Sequence, residues 1–316
     1  MSKYRKNLPQ LNGRMFITDG GLETTLIFHH GMDLPHFASF PMIANPIEYQ
    51  LLEEYFIAYL GIAKKNKMGF VLETPTFRSN KDWGYKLGYD LEGLDEINKS
   101  SIIQFETLRT KFESVETPIV ISGCIGPRGD GYVVSDIMNI DEAKDYHSLQ
   151  IKSFCEAGTD MITSYTMNYI NEALGIVLAA KELNVPASIG FTVETDGSLP
   201  SSETLKEAIE IIDQETDKYP AYYMINCAHP SHFIGKLQTE EAWIKRIMAI
   251  RANASTKSHS ELDECTHLDA GNKNDLLEGY KLLNALLPNL KVIGGCCGTD
   301  HSHIEEISKY WIDNVS

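Results

Sequence analysis

Three cysteines stand in two short motifs, Asn226-Cys227-Ala228-His229-Pro230 and Gly294-Gly295-Cys296-Cys297-Gly298-Thr299. Thiols in these settings are candidate ligands for a soft metal ion. Gly294, Gly295 and Gly298 remove Cβ atoms beside the adjacent pair and permit backbone angles that turn both sulfurs towards one ion. Each motif follows an apolar run that reads as a strand, 221–225 and 291–293. One strand end thus offers one thiolate and another offers two. A catalytic zinc typically keeps three protein ligands and leaves its fourth position open. A free thiol with a pKa near ~8.5 is mostly protonated at neutral pH, and zinc coordination removes that proton. A fourth, exogenous thiolate would complete an electron-rich ZnS4 unit and stay nucleophilic. The chemistry implied is alkylation of a small thiol. Cys227, Cys296 and Cys297 could instead be small core residues, or Cys296 and Cys297 a redox pair. The glycine frame and the separate strand-end cysteine favour the metal.

Such a site needs elements that bring distant residues together. The chain has 316 residues, 43% of them hydrophobic, ample for a large core. Its hydrophobic pattern alternates strand-like and helix-like segments. Eight short apolar or β-branched runs occur at 15–18, 70–74, 118–122, 161–165, 187–193, 221–226, 247–253 and 291–294. Amphipathic stretches at 46–65, 95–113, 140–157, 171–183 and 202–215 lie between them. Eight strand–helix units at this spacing predict an α/β protein, a single (β/α)8 TIM barrel over residues 1–316. An open doubly wound sheet fits less well, because Thr18-Asp19-Gly20-Gly21-Leu22 lacks the longer glycine pattern of a dinucleotide turn. Barrel active sites gather at the C-terminal ends of the strands. Asp19, Glu73, Cys124, Tyr165, Glu194, Cys227, Asn253, Cys296 and Cys297 all fall at such ends.

The composition excludes other classes. With 28 basic and 44 acidic residues the net charge is −16, which opposes nucleic acid and anionic lipid. No stretch is long and apolar enough to span a bilayer, and no apolar segment of a signal peptide follows the basic N-terminus. Six cysteines are too sparse for a secreted disulfide framework. A cytoplasmic protein with small-molecule partners is expected, and an oligomer is compatible with this composition.

Several motifs together resemble the homocysteine S-methyltransferase family: Asp19-Gly-Gly-Leu22, Ser122-Gly-Cys-Ile-Gly-Pro127, Phe191-Thr-Val-Glu194, Ile225-Asn-Cys227 and Gly294-Gly-Cys-Cys-Gly-Thr299. They keep the family order over nearly the whole chain. The resemblance implies a (β/α)8 barrel whose three cysteines, Cys227, Cys296 and Cys297, hold Zn2+. It also implies methyl transfer to homocysteine or a related small thiol from S-methylmethionine, S-adenosylmethionine or a betaine-like donor. A folate donor fits poorly, since the chain cannot also hold the folate and cobalamin modules of the large methionine synthases. By the same resemblance, Asp19 would hold the substrate ammonium and the Gly20 and Gly21 N–H groups its carboxylate. The family usually places a glutamate after strand four, also on the ammonium. Here Tyr165 occupies that place, and a phenol is neutral at pH 7. Weak homocysteine binding follows unless Glu73 or Glu194 supplies the charge.

Other candidates are weaker. His229 reads as a group orienting the zinc surroundings, and His301 and His303 as the start of the last helix. Trp83 and Tyr85 are candidates for a cage around a sulfonium or quaternary ammonium donor, or for packing at the rim. Asn253 is placed to reach substrate by hydrogen bond. Two other functions remain open from the residues alone: a barrel that binds a thiol or zinc without catalysis, and a metal-dependent hydrolase. The hydrolase is disfavoured because the first strand ends without a His-x-His pair.

Overall fold

The computed structural model describes residues 2–238, 240–264 and 267–314. Eight parallel strands close in sequence order: β1 (Phe16–Ile17), β2 (Gly69–Glu73), β3 (Ile119–Ile125), β4 (Met161–Met167), β5 (Ala187–Phe191), β6 (Tyr222–Asn226), β7 (Ile247–Ala252) and β8 (Val292–Gly295). β8 pairs back onto β1 through Val292–Phe16 and Ile293–Ile17. The eight strands and five helices expected from the sequence are all present, with ends displaced by a few residues. β3 runs furthest past its expected end, to Ile125, and β4 extends to Met167, where the register against β5 shifts between Ser164 and Met167.

Local chemistry accounts for the helices. Asn45 caps Pro46–Lys65 by accepting from the Ile47 N–H, and Pro46 sits where a missing N–H costs nothing. Asn139 with Glu142, and Thr204 with Glu207, form reciprocal capping boxes at the starts of Ile140–Ala157 and Leu205–Thr216. Both faces of the sheet are buried, so the strands are almost continuously apolar.

The strand period of two sorts the barrel interior by height. Phe16, Val71, Val120, Met161, Tyr222, Ala249 and Val292 pack its lower, apolar part. Two residues further along the same strands come Thr18, Glu73, Ser122, Thr163 and Arg251, all buried. The apolar plug therefore ends in a polar layer at the C-terminal mouth. At the opposite end Asp160 ties the N-terminal segment to the barrel. Its Oδ1 accepts from the Lys3 and Tyr4 N–H groups, both at 2.7 Å, and its Oδ2 from Arg109 Nη1 at 2.5 Å. Among the described residues no helix is long and apolar enough to cross a membrane.

Candidate metal centre and substrate cavity

Cys227 leaves the end of β6 with φ of 53°, a left-handed conformation that costs a non-glycine residue free energy. Three contacts hold it there. Its N–H donates to the Arg251 carbonyl at 3.0 Å, its carbonyl accepts from Asn253 Nδ2 at 3.0 Å, and the Asn253 N–H donates to the Ala228 carbonyl at 3.1 Å. Asn253 therefore positions a cysteine, and it does not line the inner cavity where a substrate contact was expected. Cys296 and Cys297 follow β8. The Cys296 N–H donates to the Ala252 carbonyl at 2.9 Å, and the Cys297 carbonyl accepts from the Ala254 N–H at 3.1 Å. Gly21 packs so closely here that a Cβ would lie 2.8 Å from the Cys296 carbonyl oxygen.

The sulfurs of Cys227, Cys296 and Cys297 all lie within 4.8 Å of one another. Those of Cys227 and Cys296 are joined as a disulfide with Cα atoms 5.3 Å apart, and Cys297 is a free thiol. Two strand ends bring these sulfurs within bonding reach. Three converging sulfurs suit a tetrahedral ion with one open position once that pair is reduced. Burial pushes the Cys297 thiol up to about 11, so holding it as a thiolate at neutral pH requires a cation beside it.

An inner cavity of about 100 Å³ adjoins the three cysteines and is walled by Asp19, Glu73, Cys124, Tyr165 and Arg251. Arg251, at the end of β7, was not among the expected site residues and organises this wall. It is 6% exposed. Its Nη1 lies 2.8 Å from Asp19 Oδ1 and donates to the Tyr165 hydroxyl at 2.9 Å. Its Nε donates to the Gly295 carbonyl at 2.8 Å and its Nη2 to the Gly20 carbonyl at 2.9 Å. Asp19 Oδ2 accepts from the Tyr55 hydroxyl at 3.0 Å, whereas Oδ1 is in ion-pair contact with Arg251 and makes no hydrogen bond among the described residues. The Gly21 N–H is also engaged, with the Thr299 carbonyl at 3.0 Å. The expectation that Asp19 and Gly21 stand open to a substrate is altered accordingly. A guanidinium in a run as apolar as Ile247-Met-Ala-Ile-Arg-Ala252 was the available signal, because a buried charge requires a partner.

Glu73 differs from Asp19. Its Oε2 is buried with no hydrogen-bond partner among the described residues. Burial pushes its carboxyl up to about 7, with Arg251, Ser122 and Thr163 pulling the other way. The folded-state pKa therefore exceeds the ordinary value of 4.5. The folded chain keeps a proton that the unfolded chain loses, so stability falls as pH rises from about 4.5 to about 7 and then levels off. Glu73→Gln is expected to be more stable than the native chain by about 2–3 kcal/mol at pH 8 and by little at pH 4.5. Denaturant unfolding at the two pH values checks this; an equal effect at both would remove Glu73 as the titrating group.

The remaining candidates lie elsewhere. Glu194 is partly exposed and lines neither this cavity nor the larger one beside it. His229 caps Pro230–Phe233 through Nδ1 and is not among the clustered ligands. His301 begins the last helix, and His303 Nδ1 bonds Asp300. Trp83 is covered by Arg78 and Lys86, and Tyr85 points to solvent, so both serve the rim. The aromatic groups nearer the cysteines are Phe37, Phe77 and Tyr132, shared by the inner cavity and a neighbouring one of about 420 Å³.

The chain is thus a closed parallel barrel with three converging sulfurs at its mouth. The family described as Homocysteine S-methyltransferase matches residues 16–311, and the chain belongs to that family of methyltransferases. Homocysteine S-methyltransferase 1 of Arabidopsis thaliana is 22% identical, over 94% of this chain and 93% of that protein. Selenocysteine Se-methyltransferase of Brassica oleracea var. italica is 23% identical, over 98% and 93%. Among solved structures, the metallated form of the Escherichia coli homocysteine methyltransferase MmuM superposes with a TM-score of 0.74 at 14% identity, over 96% of this chain and 99% of that one.

Proposed function

We propose that Cys227, Cys296 and Cys297 hold Zn2+ and that the protein transfers a methyl group from a small cationic donor to a small thiol of the homocysteine type. The convergence of the three sulfurs on the wall of a small cavity that also holds Asp19, Glu73 and Arg251 carries this reading. Bound zinc would keep the acceptor thiol ionised as a nucleophile. The polypeptide does the rest. β6 and β8 aim the cysteines, Asn253 fixes the Cys227 turn, and Arg251 ties the Gly20 and Gly295 carbonyls together beneath the site. The donor would approach from the larger cavity, whose wall includes the aromatic side chains of Phe37, Phe77 and Tyr132. A reducing cytoplasm would keep the cysteines available for the ion.

The test uses reduced, zinc-loaded protein with homocysteine and, in turn, S-methylmethionine, S-adenosylmethionine and betaine. Methionine formed with at least one donor is expected, together with a fourth sulfur at the zinc absorption edge when thiol is added. No product with any donor and no fourth sulfur would sink the proposal.

A further inference from the structure

The polar layer at the barrel mouth contains one guanidinium, Arg251, and two carboxyl groups beside it, Asp19 and Glu73. The cation is committed to Asp19 at 2.8 Å. Its other donors go to Tyr165 and to the Gly20 and Gly295 carbonyls. Asp19 in turn has its second oxygen on Tyr55. An incoming ammonium would have to compete for Asp19 with a buried guanidinium that three further hydrogen bonds hold in place, which is costly. Glu73 faces the same cavity, is 6% exposed, and has one oxygen without a partner among the described residues. Tyr165 brings no charge to the site. The surplus negative charge of the layer therefore falls to Glu73.

Resting on the thiol-acceptor reading above, we propose that Glu73 on β2, not Asp19 on β1, receives the ammonium group of an amino-acid thiol, and that Arg251 imposes this choice by holding Asp19. The acceptor class is then a small thiol bearing an ammonium that can reach Glu73 while its sulfur lies at the three cysteines. Burial that leaves the Glu73 carboxyl poorly solvated favours any ligand able to supply a compensating positive charge. Glu23 is the other acid on the cavity wall, but its Oε1 already accepts from the Ser39 hydroxyl at 2.8 Å.

The experiment compares homocysteine with 4-mercaptobutyrate, which keeps the thiol and carboxylate and lacks the ammonium. Both are titrated calorimetrically into reduced, zinc-loaded protein without a methyl donor, and zinc content is checked in each sample. The native protein is expected to bind homocysteine about tenfold more tightly or better. Glu73→Gln should lose that preference by weakening homocysteine alone, Glu73→Asp should keep part of it, and Glu23→Gln should leave it unchanged. Equal native affinities would overturn the assignment without need of any variant. So would a Glu73→Gln variant that weakens both thiols alike, or a Glu23→Gln variant that erases the preference. Failure of both thiols to bind the native protein would sink the thiol-acceptor reading itself, and this inference with it.

Discussion

Cys297→Ser is expected to lose most of its metal, falling from about one zinc per chain to a small fraction of that. A hydroxyl at this position is neutral at working pH and a poor match for a soft ion. Only Cys227 and Cys296 would remain, and those two sulfurs can satisfy each other as a disulfide. Methyl transfer should fall with the metal, while the fold should persist, because Cys297 lies on the rim loop after β8 and outside the apolar interior. Elemental analysis of reduced, zinc-equilibrated protein, alongside a thermal unfolding curve, decides this. A variant that holds zinc as fully as the native chain would remove Cys297 from the ligand set.

Replacing Arg251 by methionine is expected to destabilise the protein by about 3–5 kcal/mol. The change keeps volume but strands the Asp19 carboxylate, whose remaining partner is the Tyr55 hydroxyl. It also releases the Gly20 and Gly295 carbonyls, which Arg251 links across the mouth. Since Gly295 directly precedes Cys296, metal affinity should weaken as well. The double variant Arg251→Met with Asp19→Asn should recover part of the lost stability, because the stranded charge is then gone. Denaturant unfolding of the three proteins at pH 7 tests the argument. A single variant within about 1 kcal/mol of native would show that the pair contributes little net stability.

Much of this architecture is written locally. Apolar runs of four to seven residues, separated by capped amphipathic segments, can bury both faces only in a parallel sheet covered by helices. Asn139-x-x-Glu142 and Thr204-x-x-Glu207 mark two of those helix starts from four residues each. The cysteine motifs were equally legible, because thiol, glycine and strand end adjoin one another in the chain. Expectations drawn from single polar residues fared differently. Asp19 and Asn253 do stand at the mouth, yet one is bound by an arginine 232 positions later and the other holds a cysteine backbone 26 residues earlier.

What the sequence alone determined is thus the barrel, its polar mouth and the two cysteine motifs at strand ends, since each follows from spacing and side-chain type within a short window. Tertiary structure decided which charges are free. Coulombic pairing depends on distance through space, and Arg251, Asp19, Glu73 and Tyr165 come from four different strand ends that meet only when β8 closes onto β1. Closure gives Asp19 a charged partner within 2.8 Å and leaves one Glu73 oxygen without a hydrogen bond among the described residues. No local pattern distinguishes two carboxylates that each end a barrel strand. Only burial and the position of one guanidinium do.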